Sequence, residues 1–119
     1  MDDTQMPQQV QDKLVKFQGL QNQLQMIAMQ RQQLSMQSKD IENALNELKE
    51  QKGKVYRLSG PIMVEADKEI TEKELSAEKE KLESNLLIYE KHEKKLSDQL
   101  KNLSTELQTM MGARNTFAG

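Results

Sequence analysis

The sequence predicts a mostly α fold, a long antiparallel two-helix coiled coil interrupted by one central β-hairpin. Three observations predict it. Apolar residues recur at seven-residue intervals on both sides of the chain's midpoint, which is the pattern of a coiled-coil seam. Residues 54–66 between the two runs, KVYRLSGPIMVEA, have a β pattern instead. Proline occurs only at Pro7 and Pro61, so nothing breaks a helix in either flank.

The first helix is expected over about 8–52. Its seam places Leu20, Ile27, Leu34, Ile41 and Leu48 at the d position, and Val10, Phe17, Leu24, Arg31, Ser38 and Leu45 at the a position. Lys13, Arg31 and Ser38 are its polar interruptions. Gly53 follows the last turn, where a left-handed residue commonly ends a helix.

The hairpin comes next, over 54–66. Val55, Tyr56, Ile62 and Val64 are the β-branched and aromatic residues that favour strands. Ser59, Gly60 and Pro61 form a turn signal that splits the stretch into two short runs. The second helix is expected over 67–111, with 112–119 as a flexible tail. Leu75, Leu82, Tyr89, Leu96, Leu103 and Met110 form one row, with Leu86, Leu100 and Leu107 beside it and Lys79 and Glu93 as polar exceptions. Asp67 is the expected N-cap; Thr71 with Glu74 offers a capping box one turn later.

A connection this short makes the helices antiparallel, the whole of 1–119 forming one domain. Folding the chain about Gly60 brings the polar a positions Arg31 and Glu93 to similar heights. They serve either as a pair that sets the register of the seam or as two charges that reach out of it on flexible stems. A two-stranded hairpin is marginal alone, and its edges and apolar face ask for other strands. A small barrel or sheet built from the hairpins of several chains is the economical answer.

Composition narrows the function classes. With 30% charged and 35% hydrophobic residues, a wide globular core is excluded. No stretch approaches the roughly 18 apolar residues of a membrane span, and the acidic opening MDDTQMPQQV does not resemble a secretory signal. The chain is expected to be soluble and cytoplasmic, with no membrane partner. The absence of cysteine removes disulfides and thiolate metal sites. His92, the single histidine, lies beside Glu90 and Glu93 on the flank of the seam; it reads either as a pH-sensitive pair or as a solvated side chain. The many carboxylates alternate with lysines, as in EKELSAEKEKLE, which is how an exposed helix gains support and solubility. No phosphate-binding glycine loop is present. No catalytic residue, metal site or cofactor is expected, and the chain is not expected to be an enzyme.

The string Tyr56-x-Leu58-x-Gly60-Pro61-Ile62-x-Val64 between two long heptad helices, with the Gln-rich opening PQQVQDKLVKFQGLQNQLQ, resembles the β-type subunits of prefoldin over essentially the whole chain. The resemblance implies an ATP-independent chaperone: a hexamer of two α-type and four β-type subunits whose hairpins form a double β-barrel. It also implies coiled coils that capture non-native proteins at their tips for delivery to a group II chaperonin. One hairpin, where an α-type subunit has two, favours the β type. On this view Val55, Tyr56, Leu58, Gly60, Pro61, Ile62 and Val64 serve oligomerisation.

The tip, by contrast, is defined only as a region. Met6, Val10, Leu14, Phe17, Leu107, Met110, Met111 and Phe117 converge there, within termini prone to fray. They are either client contacts or ordinary seam residues. From Gln18 to Ser38 the only charge is Arg31, and Met26, Met29 and Met36 fall outside the seam at c, f and f positions. That face is either a soft surface for clients or simply a solvated face of good helix formers. Two rivals remain. A structural coiled-coil scaffold or tether leaves the hairpin without purpose. A nucleic-acid-binding arm needs a basic face, whereas Lys13, Lys16, Lys101 and Arg114 at the tip are offset by Asp2, Asp3, Asp12, Asp98 and Glu106.

Overall fold

A computed structural model describes residues 7–118, with side chains as far as Gly112. The elements run α1 (Gln8–Glu50), β1 (Val55–Ser59), β2 (Ile62–Ala66) and α2 (Lys68–Ala118). The expected order and types of element are all present, and no described helix is long and apolar enough to cross a membrane.

Each helix begins where local chemistry allows it. The Pro7 carbonyl accepts from Val10 N at 3.0 Å and Gln11 N at 3.1 Å, so a residue without its own N–H supplies the first helical acceptor of α1. At the start of α2 the Asp67 carboxylate accepts from Ile70 N at 3.0 Å while the Asp67 carbonyl accepts from Thr71 N at 2.9 Å. Asp67 is therefore the N-cap, in preference to the Thr71–Glu74 box.

The other two ends differ from expectation. Gly53 does not adopt a left-handed conformation; the one positive-φ glycine among the described residues is Gly60. Instead α1 closes with a tight bond from Gln51 N to Leu48 O, 3.2 Å. The ammonium of Lys68 then donates to Gln51 O at 2.9 Å and Lys49 O at 3.4 Å, supplying donors to carbonyls at the helix end that the helix itself cannot satisfy. At the C-terminus, the expected tail over 112–119 is a continuation of α2 to Ala118. One helical glycine costs only about 1 kcal/mol relative to alanine, and no proline follows Gly112 to stop the helix.

The chain divides into two compact units, residues 1–29 with 89–119 and residues 30–88. In the first, Val10, Leu103 and Leu107 form the buried cluster, and Leu14, Phe17, Leu20 and Met110 pack against it. The start of α1 thus lies against the end of α2, the antiparallel arrangement. Lys13, a polar seam residue, is paired with Glu106 across the two helices. In the second unit Leu48 and Ser38 are buried, while Leu34, Ile41, Leu45, Leu75, Leu82 and Leu86 are half-buried. No side chain among the described residues is completely enclosed, as expected when two helices share one narrow seam.

Candidate functional site

The hairpin is built around its turn. Gly60 has φ of 60°, and the Pro61 ring holds φ near about −65°; positive then negative φ is the signature of the two-residue type II′ turn that suits twisted strands. The resulting antiparallel register pairs Ser59 with Ile62, Leu58 with Met63, Arg57 with Val64, Tyr56 with Glu65 and Val55 with Ala66.

Because paired residues share a face and successive residues alternate, the ladder assigns two surfaces. One carries Val55, Arg57, Ser59, Ile62, Val64 and Ala66; the other carries Tyr56, Leu58, Met63 and Glu65. On the first, the Arg57 guanidinium donates to the Glu74 carboxylate of α2 at 2.9 Å, and Val55 and Ala66 at the base are half-buried. Both ion-pair partners are more than half exposed, so the contact contributes at most about 1 kcal/mol. On the second face, Lys54 and Glu65 lie 3.9 Å apart at the rim.

What distinguishes the hairpin is apolar exposure on both surfaces. Leu58 is 73% exposed, Met63 69%, Ile62 59% and Tyr56 52%, with Val64 also exposed. Among the described residues each strand pairs with one neighbour only, leaving two open edges. The expected oligomerisation residues Tyr56, Leu58, Ile62 and Val64 are thus brought together and presented; Val55 is partly covered, and Gly60 and Pro61 make the turn. Met63 belongs with them but was not singled out by sequence. Its neighbours obscured it, because strict apolar–polar alternation is absent when both faces of a strand are apolar.

The expected tip residues have a different status. Val10 and Leu107 are buried, and Leu14, Phe17 and Met110 are packed against them, so these five face one another. Met111 is 45% exposed. Met6 and the Phe117 side chain lie outside the described residues. Val15, 69% exposed in the same unit, is a further apolar surface residue that the seam pattern passes over. Arg31 and Glu93 are half-buried, each in its own unit. Met26 and Met29 in the first unit, and Met36 in the second, are exposed. No group of histidines, cysteines and carboxylates suited to a metal ion occurs among the described residues.

A helical hairpin whose strands leave apolar faces and edges uncovered defines a subunit built to join others. Comparison with known proteins places that class. A family model described as prefoldin subunit matches residues 11–114. The chain is 35% identical over 107 residues to prefoldin subunit beta of Thermococcus onnurineus, covering 88% of this chain and 92% of the relative. It is 34% identical over 108 residues to the Archaeoglobus fulgidus protein of the same name, covering 89% and 93%. The crystal structure of the prefoldin beta subunit from Thermococcus strain KS-1 superimposes with a TM-score of 0.82 at 31% identity, covering 89% of this chain and 95% of that one. The chain belongs to the prefoldin subunit family, a family of chaperone subunits.

Proposed function

We propose that the chain is a β-type subunit that assembles through its hairpin with α-type subunits and further β-type copies into a hexamer. The hairpins form the shared β-barrel body. The assembly works in the cytoplasm, captures non-native proteins at the free ends of its helices without ATP, and passes them to a group II chaperonin. The observation that carries this reading is the hairpin, whose Tyr56, Leu58, Ile62, Met63 and Val64 are exposed on two faces. Apolar surface of this kind favours burial against a complementary partner, and a scaffold made only of helices has no use for it.

Client contact is assigned to Met6, Val10, Leu14, Phe17, Leu107, Met110, Met111 and Phe117. Met111 is accessible at rest. The packed members of the set become available as the helix ends fray, the low-stability opening expected of chain termini. Arg31 and Glu93, both half-buried, are proposed to set the register of the seam, since a polar pair in a seam specifies alignment more than it stabilises.

The test is aggregation of a chemically unfolded model protein. The assembled complex should suppress it at near-stoichiometric ratios, with and without ATP alike. Removing residues 1–9 and 108–119 should leave assembly intact and weaken protection. Nucleotide-dependent release of the client in the absence of chaperonin would contradict the reading, as would full protection by the truncated complex.

A further inference from the structure

Residues 17–29 hold no charged side chain in a chain that is 30% charged. A stretch of this length ordinarily holds about three. In their place stand Gln18, Gln21, Asn22, Gln23 and Gln25, all exposed. Among the described residues, none of these carboxamides has a hydrogen-bond partner within the chain.

Gln21, Asn22 and Gln25 line an open groove between α1 and α2 of the first unit, with Ser97 on the opposite wall and Leu24 and Leu100 at its floor. Glu93 closes one side, half-buried and itself engaged. Met26 stands four residues beyond Asn22 and Met29 four beyond Gln25, so each lies one turn along the same strip of helix. Both methionines are exposed, at 62% and 65%.

We infer that this groove is a client-binding surface that recognises the main chain of an extended, non-native polypeptide. The inference rests on the chaperone reading above and adds a second contact region away from the helix ends. Its chemistry selects the occupant. A carboxamide both donates and accepts, as a peptide group does, so the three that line the groove can hydrogen-bond an extended backbone whatever its sequence. A charged wall would favour clients of one sign and reject the other; the α1 wall of Gln21, Asn22, Gln25 and Ala28 is neutral and does neither, and the one carboxylate of the lining, Glu93 on the α2 side, is already engaged. Met26 and Met29 supply adaptable apolar contact for whichever side chains fall beside them. A folded protein, with its backbone already paired, offers the groove little.

The assay is binding of two permanently unfolded polypeptides of similar length, one net negative and one net positive, to the assembled complex. The wild-type complex should hold both, with affinities that change less than about two-fold as salt is raised. Replacing Gln21, Asn22 and Gln25 together by alanine, a strong helix former, should weaken both probes by about three- to ten-fold, with helix content and complex size unchanged. The set Gln21→Glu, Asn22→Asp and Gln25→Glu should weaken the negative probe more than the positive one. If the alanine complex binds both probes as tightly as wild type, or loses only one of them, the inference is overturned while the chaperone reading stands. A wild-type complex that holds neither probe overturns both.

Discussion

Leu103→Ala, set against Met111→Ala, probes whether the end of the helices is a packed seam or an open apolar surface. Leu103 is 6% exposed and packs with Val10 and Leu107, whereas Met111, two turns further along α2, is 45% exposed. Truncating a buried leucine costs about 2–5 kcal/mol, more where the cavity cannot collapse. A two-helix seam collapses easily because no residue in it is fully enclosed. The lower part of the range, about 2–3 kcal/mol, therefore applies. Met111→Ala should cost less than about 0.5 kcal/mol, the usual ceiling for surface changes.

Amide hydrogen exchange reads the difference locally. Residues around Val10–Leu20 and Leu103–Met110 should exchange about 30- to 150-fold faster in the Leu103 variant, since each 1.4 kcal/mol is about ten-fold. The hairpin amides should be unaffected in both variants, because they lie in the other unit. Equal acceleration by the two substitutions would refute the packed cluster; so would exchange at wild-type protection in the Leu103 variant.

Three further outcomes follow from named contacts. Asp67→Ala removes the acceptor for Ile70 N and should destabilise the chain by about 1 kcal/mol, measured by thermal unfolding at fixed concentration. Gly60→Val places a β-branched residue at φ of 60°; it should cost more than about 1 kcal/mol and weaken assembly, seen as a concentration-dependent fall in mass by light scattering. Arg57→Ala should leave stability within about 1 kcal/mol of wild type, because the Glu74 contact is exposed. Loss of cooperative unfolding in that variant would show the contact to be structural.

The seam was legible in the sequence because its period is set by helix geometry alone. Each expected seam position on α1 from Val10 to Leu48, including the polar Lys13, Arg31 and Ser38, is buried or half-buried. The hairpin was legible through Gly60-Pro61, which permits few other turns, and Asp67 through the chemistry of capping. The pairings between elements were not. Lys13 with Glu106, Arg57 with Glu74, and Lys68 with the carbonyls of Lys49 and Gln51 depend on the stagger of one element against another, which a repeating pattern leaves undetermined.

Gly53 misled because a glycine after a helix is common at a left-handed cap, yet a lysine from α2 can serve the same carbonyls. The expected division between client contacts and seam residues at the tip was beyond the sequence for a related reason. The same apolar side chains suit both tasks, and only packing shows that Val10 and Leu107 are buried at rest while Met111 is not. Met63 was hidden by a strand that is apolar on both faces.

The central claim is that the uncovered hairpin joins the chain to other prefoldin subunits. It is tested most directly by the mass of the complex in light scattering when Leu58→Glu and Ile62→Glu, one on each face of the ladder, are introduced together. Burying unpaired carboxylates in a shared β-body is prohibitive, while leaving them in water costs little. The account predicts undiminished helix content with the oligomer lost, and a species of the single-chain mass of 13.7 kDa in its place. A variant that still assembles to the wild-type mass would contradict it.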